Sequence, residues 1–215
     1  MKRIITILLT LTMMAACLSA CGSSRDVNDS NSKSSGKNAG SNADYSSGTH
    51  HAEIEVKDYG TIKVELDADT APITVENFAK LVNEGFYDGL TFHRIIRGFM
   101  IQGGDPKGDG SGGSDKTIKG EFKQNGVENN ISHKRGVISM ARSMENDSAS
   151  SQFFIMHQDT PSLDGQYAAF GKVTEGIEVV DKICDSMEEG NKLLDANGTV
   201  DKKYQPVIER IKMID

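Results

Sequence analysis

The hydrophobic pattern changes character along the chain. From Ile4 to Ala16 apolar residues run almost unbroken behind Lys2 and Arg3, and from Gly22 to about Gly48 they nearly vanish. From Ala52 onward they recur with two different periods. In Thr61-Ile62-Lys63-Val64-Glu65-Leu66 apolar and polar positions alternate, the period of a strand with one buried face. Ala52–Lys57 lies before it, and the turn signal Asp58-Tyr59-Gly60 between them predicts a hairpin. Val75, Phe78, Ala79 and Val82 follow the helical period. They predict a helix over Pro72–Glu84, with Thr70 as capping candidate, Pro72 in the first turn and Gly85 as the stop. Gly176–Met187 repeats that period, placing Ile177, Val180, Ile183 and Cys184 near one face. Gly136–Arg142, Phe153–His157, Ala168–Val173 and the alternating Pro206–Ile214 are short, β-rich and separated by turn residues. Periodicity alone gives a mixed, mostly β fold. The strand tally suits a closed antiparallel barrel with the two helices capping its ends.

The stretch Thr91–Asp105, TFHRIIRGFMIQGGD, carries the most chemistry. Read as strand, its parity sends Arg94, Ile96, Gly98, Met100 and Gln102 to one face and His93, Ile95, Arg97, Phe99 and Ile101 to the other. Gly98 interrupts the run and predicts a bulge or bend that re-aims Phe99. A guanidinium, a thioether, an amide and an aromatic ring then lie within a few residues. Such a set can form an apolar pocket with a planar donor fork at its lip.

FHRII followed by GFMIQGGD resembles the signature of cyclophilin-type peptidyl-prolyl cis/trans isomerases. GVISMAR (Gly136–Arg142), SSQFFI (Ser150–Ile155) and LDGQYAAFGKV (Leu163–Val173) resemble further blocks of that family, in the family's order. The resemblance covers roughly His51–Asp215. It implies a closed eight-stranded antiparallel barrel capped by two α-helices, with Arg94 as the catalytic group. Around the substrate it places His93, Phe99, Met100, Gln102, Ala141, Arg142, Gln152, Phe154, Leu163 and Tyr167. Parity agrees in part, since Gln152 and Phe154 share one face of their strand and leave Phe153 and Ile155 for the core.

The implied chemistry accounts for the residue types. Rotation of an X-Pro bond crosses a barrier of about 18–20 kcal/mol because the amide resonates. A guanidinium aimed at the imide nitrogen helps only when the bond is twisted and the lone pair has returned, which is differential binding. Phe99, Met100, Phe154 and Leu163 would grip the proline ring, and Gln102 and Gln152 would position backbone amides. The reaction needs no nucleophile, metal or cofactor. Some positions depart from the pattern of well-known members. Arg97 stands where proline is common, Arg142 where Asn is frequent, and Tyr167 where His is frequent. Ser162 stands where cyclosporin-sensitive members carry Trp, so weak binding of that drug is expected. A monomer is expected.

The start of the chain reads as a targeting segment. Lys2 and Arg3 form a positive region, Ile4–Ala16 an apolar one too short to span a bilayer comfortably, and Leu18-Ser19-Ala20-Cys21 resembles the lipobox of bacterial lipoproteins. On this reading residues 1–20 are a lipoprotein signal peptide and Cys21 bears the lipid. Ordinary secretion with cleavage after Ala20, or attachment at Cys17, are the alternatives. Residues 21–50, rich in Ser, Asn and Gly, read as a disordered tether of roughly 30 Å mean reach. Residues 51–215 read as the isomerase domain. The expected location is the extracytoplasmic face of a bacterial cell membrane.

Composition excludes other classes. The formal net charge of −7 over 215 residues gives no general attraction to nucleic acid. With Cys17 and Cys21 assigned to the leader and the lipid, Cys184 stands alone, so no disulfide is available and a buried thiol is expected. Gly103–Ser114 formally contains G-x-G-x-x-G at Gly108, Gly110 and Gly113. Thr117-Ile118-Lys119-Gly120 after it does not open a helix, so it reads as a mobile loop beside the active face. Asp195-Ala196-Asn197-Gly198 fails the spacing of a calcium loop and reads as a turn. His50-His51 reads as the domain's first polar residues. The function read from the chain is isomerisation of X-Pro bonds, assisting folding of exported proteins. The alternative is a non-catalytic proline-binding or holdase module using the same groove.

Overall fold

The computed structural model describes residues 44–188 and 190–215. The signal segment 1–20, Cys21 and tether residues 21–43 lie outside the described residues. The rest builds β1 (Thr49–Val56), β2 (Gly60–Asp67), α1 (Pro72–Asn83), β3 (Phe92–Ile96), β4 (Met100–Gly103), β5 (Val137–Met140), β6 (Phe153–Met156), β7 (Ala169–Glu175), α2 (Ile177–Ser186) and β8 (Ile208–Met213). The strands pair antiparallel in one sheet of order β3-β4-β6-β5-β7-β2-β1-β8. The β1–β2 hairpin forms where alternation predicts it. Its turn uses Asp58 at φ 65° and Gly60 at φ 125°, and a short polar residue and a glycine tolerate such angles. β1 begins at Thr49, and Tyr45 ahead of it is buried in the core, so the fold recruits residues on the tether side of His51.

The sheet curls but does not close, which corrects the closed barrel expected from the sequence. It is an open half-barrel with β3 and β8 as its edges. Among the described residues these edges meet at one end, through an isolated bridge between Thr91 and Val207, the bond from Phe92 N–H to the Pro206 carbonyl, and bonds between Ile208 and the Gly89-Leu90 approach to β3. Two local causes are visible. Pro206 has no N–H to continue a ladder. Farther along, the outer edge of β3 is already occupied by the segment 198–200: Ile95 N–H donates to the Gly198 carbonyl, and Val200 N–H to that of His93.

Alternation along the strands sorts side chains onto two faces. Ile54, Ile62, Val64, Leu66, Ile95, Ile101, Phe153, Ile155 and Phe170 fill the inside of the curl, where α1 adds Val75, Phe78 and Val82 and α2 adds Val180, Ile183 and Cys184. The Cys184 thiol is buried and pushed up to about 12. The other face carries a smaller cluster, Met100, Val137, Phe154, Met156 and Ala169, against which Phe99, Ala141, Leu163 and Tyr167 are partly buried.

Non-local polar anchors fix what periodicity leaves open. Thr70 does not cap α1; its amide and hydroxyl both donate to Asp67. The cap comes from the buried Glu121, whose carboxylate accepts from the Ile73 and Thr74 amides and the Thr74 hydroxyl at 2.7–3.1 Å. A carboxylate there satisfies orphan donors and meets the positive end of the helix dipole. Gly103–Ser114, read as mobile, is built around the buried Asp105. Burial alone would raise its carboxyl, but amide bonds from Lys107, Gly112, Gly110 and Asp109 hold it below its ordinary value. His133 is buried between Asp164 at 2.9 Å and the Ser139 hydroxyl at 3.1 Å. Desolvation lowers the pKa of both His133 and His93, while neighbouring carboxylates oppose the shift.

These features set two expectations. Glu121→Ala leaves two helix amides without acceptors and should cost about 2–4 kcal/mol in urea unfolding. Because the folded state holds His93 and His133 below the ordinary 6.5, the unfolded chain binds protons first as pH falls through about 6.5. The urea midpoint should therefore be lower at pH 5.5 than at pH 7.5; a flat profile would contradict this assignment.

Candidate active site

The Thr91–Asp105 stretch is a hairpin rather than one bent strand. β3 and β4 pair with Arg94 opposite Gln102, Ile95 opposite Ile101 and Ile96 opposite Met100, around a turn at Arg97-Gly98-Phe99. Gly98 sits at φ 79°, the left-handed region a glycine enters without penalty. From Arg94 onward the parity grouping survives this correction, because the register there pairs even positions with even ones. A register shift between Phe92 and Arg94 breaks it before that, so Phe92 enters the core and His93, grouped by parity with the inner face, borders the same hollow as Arg94. Arg94, Met100 and Gln102 stay on the outer face, and the turn swings Phe99 towards them.

The row continues across the sheet. Gln102 lies opposite Phe154 on β6, and Phe154 opposite Ser139 on β5. Neighbouring strands lie about 4.8 Å apart, so Arg94 and Phe154 stand about 10 Å apart with the Gln102 amide between them. Above this row lies a hollow of about 330 Å³, lined by His93, Arg94, Phe99, Met100, Gln102, Ala141, Arg142, Phe154, Leu163 and Tyr167, together with Asp109, Gly110 and Thr199. The sequence reading singles out none of the last three as a site residue, although Asp109 and Gly110 belong to the loop read as lying beside the active face. They sit on loops whose docking against β3 and β4 leaves no periodic trace. Gln152 instead lines an adjoining hollow of about 360 Å³ that shares Gln102, Gly110, Ala141 and Arg142.

Arg94 is half-buried and held at two points. Its Nε donates to the Asn197 carbonyl at 2.8 Å and its Nη1 to Gln102 Oε1 at 3.3 Å. Burial lowers its pKa, and the nearby Asp195 carboxylate opposes the shift. A guanidinium still stays a cation at physiological pH. Its carbon lies 6.0 Å from the centre of the Phe99 ring. Gln102 Nε2 donates to Gln152 Oε1 at 2.9 Å, and Gln152 Nε2 in turn donates to the Gly112 carbonyl at 2.7 Å. This directed chain fixes both amides. They are engaged within the protein and position Arg94 and the glycine-rich loop, where the sequence reading has them positioning a substrate backbone.

The ring nitrogens of His93 are buried without a hydrogen-bond partner among the described residues, and the ring borders the hollow. Kept neutral by burial, it can offer either a donor or an acceptor there. Arg142 lines the rim, with Nε donating to the Gln166 carbonyl and Nη1 to those of Ser143 and Met144, and with its guanidinium 4.9 Å from both the Phe122 and Tyr167 ring centres. It clamps the loops that border the hollow. The Phe99 turn has its own support. Gly98 N–H donates to His157 Nδ1 and His157 N–H to the Phe99 carbonyl, both at 2.9 Å; His157 Nε2 meets Asp181 at 3.3 Å. Phe154 completes the floor, stacked on His133 and edge-on to Tyr167.

Comparison with known proteins assigns the chain to a family. The family model for cyclophilin type peptidyl-prolyl cis-trans isomerases matches residues 51–212. The chain is 50% identical over 123 residues to peptidyl-prolyl cis-trans isomerase B of Bacillus subtilis, covering 57% of this chain and 82% of that protein. It is 49% identical over 126 residues to a peptidyl-prolyl cis-trans isomerase of Helicobacter pylori, covering 58% and 74%. Among solved structures, a cyclophilin type isomerase of Cryptosporidium parvum, crystallised in the presence of the dipeptide Ala-Pro, superposes with a TM-score of 0.65 at 30% identity over 77% of this chain and 99% of that one. The chain therefore belongs to the cyclophilin-type peptidyl-prolyl cis-trans isomerase family.

Proposed function

We propose that this protein accelerates rotation of X-Pro bonds in polypeptides, and that it does so for exported proteins at a membrane surface. One observation carries the catalytic part: a guanidinium fixed by two neutral oxygens at the lip of a hollow whose floor is apolar. A proline ring laid on Met100, Phe154 and Leu163 would bring its imide nitrogen towards Arg94, across the distance the sheet sets. In the planar ground state that nitrogen's lone pair is delocalised and the cation gains little. In the twisted state the lone pair is localised, and a donor already aimed at it needs no reorganisation. The apolar floor excludes water that would otherwise screen the charge. Uncatalysed exchange takes about 10–100 s, slow enough to limit folding. The Ala-Pro dipeptide used with the Cryptosporidium parvum relative fits the same ligand class.

Attachment to a membrane rests on the sequence alone. The Leu18-Ser19-Ala20-Cys21 box supports lipid on Cys21, and the polar stretch after it supports reach from an extracytoplasmic surface. Ser162 is exposed beside Leu163, where a large ring would otherwise wall the hollow, and this supports weak cyclosporin binding.

In a protease-coupled assay on a proline-containing peptide, Arg94→Ala should lower kcat/KM about 10²- to 10³-fold, with an unchanged unfolding midpoint. Peptides that bind without faster exchange in the wild type would favour the holdase reading. For the anchor, cells fed labelled fatty acid should label the wild type and release a Cys21→Ser variant from the membrane fraction; label retained by that variant would move the attachment elsewhere.

A further inference from the structure

The outer edge of β3 carries the turn at residues 195–199. The segment 198–200 lies along the strand: the Gly198 carbonyl accepts from Ile95 N–H at 2.8 Å, and Val200 N–H donates to the His93 carbonyl at 2.9 Å. These bonds straddle Arg94, which bridges to Thr199. The approach is close enough to require glycine. Gly198 sits at φ +81°, and a Cβ there would stand 2.5 Å from the Ile95 carbonyl oxygen. The turn thus brings the Asn197 carbonyl against Arg94 Nε at 2.8 Å.

Asp195 ties this turn. One carboxylate oxygen accepts from Asn197 N–H at 2.8 Å and Thr199 N–H at 3.2 Å, and the other accepts from the Thr199 hydroxyl at 2.8 Å. Its backbone carbonyl accepts from Gly198 N–H, while Leu194 N–H donates to the Thr199 carbonyl. The tip of the turn, Asp195, Ala196 and Asn197, is exposed. We infer that Asp195 is a positioning residue for the isomerase reaction: it fastens the turn that presents the Asn197 carbonyl to Arg94 Nε and so fixes the plane of the catalytic guanidinium. Two anchors on different nitrogens are needed to fix a plane. Gln102 holds Nη1 and Asn197 holds Nε, which leaves Nη2 without a hydrogen bond among the described residues, on a side chain that lines the hollow. Without Asp195, three donors on an exposed turn lose their acceptor to water, the carbonyl wanders, and the fork swings about its single remaining anchor. The loss falls on the twisted state, which depends on aim, more than on ground-state binding, which rests on the apolar floor.

The inference rests on the isomerase reading, and its test separates the two. Asp195→Ala and Asp195→Asn are compared with the wild type by peptide isomerisation and by the arginine side-chain Nε–Hε NMR signals, the Arg94 signal being assigned by its loss in Arg94→Ala. For Asp195→Ala, kcat should fall about tenfold with KM nearly unchanged. The Arg94 Nε–Hε signal should shift and exchange faster with water, while the core amide spectrum stays in place. Asp195→Asn keeps an acceptor oxygen and should restore the signal and most of the rate. Unchanged kcat in Asp195→Ala overturns the inference, as does a lower kcat with the Arg94 signal unmoved. An Asn variant as impaired as the Ala variant also overturns it, since charge would then matter and not fastening. If Asp195→Ala does not fold, Thr199→Val removes a single fastening and is read by the same two outcomes. A wild type without isomerase activity would sink the functional reading, while the Nε–Hε signal would still report whether Asp195 holds the guanidinium.

Discussion

The structure turns on how a positive charge can be aimed without being spent. The direct partners of Arg94 are a backbone carbonyl and a side-chain amide oxygen, both neutral. A bidentate carboxylate would orient the guanidinium equally well, but it would cancel much of the field that a twisted imide is meant to feel. Neutral acceptors separate orientation from neutralisation. The arrangement can only be supplied by several chain segments at once, because neither acceptor is adjacent in sequence to the arginine it holds. Gln102 comes from across a hairpin, and its own orientation is set by Gln152 on the approach to β6 and then by the glycine-rich loop. Asn197 comes from beyond α2.

This requirement gives the open half-barrel a meaning. A sheet closed by a full β8–β3 ladder would place strand backbone along the outer edge of β3, with its carbonyls committed to that ladder. The edge is instead shared. One end meets the chain at Pro206 and Val207, and the rest receives the 198–200 segment, whose turn delivers a spare carbonyl to Arg94. Edge strands are ordinarily protected against pairing with other chains. Here the covering segment both protects the edge and serves the site. The two faces of the curl divide the labour in a similar way. The inner face, with Phe153 and Ile155, holds the fold together, while the outer face, with Phe154 one position away, forms the floor on which a substrate would lie.

Much of this was legible in the chain because strand parity is a local rule. Alternation in Thr61–Leu66 gave the first hairpin, and the helical spacing of Val75, Phe78 and Val82 gave α1. The grouping of Arg94, Met100 and Gln102 was correct even though the hairpin turn between β3 and β4 was read as a bend, because the register conserves parity. The resemblance to a known family supplied the loop residues Ala141, Arg142, Leu163 and Tyr167, which periodicity could not. What escaped is what depends on non-local docking. Glu121 caps a helix whose Ile73 lies 48 residues earlier, and Thr70, the local candidate, spends its donors on Asp67. Asp109, Gly110 and Thr199 reach the hollow only because their loops fold onto the sheet. Barrel closure was overread for the same reason: counting strands says nothing about whether the first and last edges find each other.

The supports of the site also differ in kind, and the difference follows from exposure. The Phe99 turn is braced from behind by His157, itself backed by Asp181 on α2, so the ring rests on buried structure. Arg142 is gripped between two aromatic rings and three carbonyls. The Asn197 carbonyl lacks such backing: backbone bonds hold the residues after it to β3, but Asp195–Asn197 is exposed, and the Asp195 side chain ties that tip. An apolar floor works wherever a proline ring can slide into van der Waals contact, and it tolerates small displacements. A cation aimed at one nitrogen does not. The least buried support therefore carries the strictest geometric demand. The rate of this site should accordingly be more sensitive to changes in the turn at 195–199 than its affinity for proline is, because aim is lost through that turn while the floor remains intact.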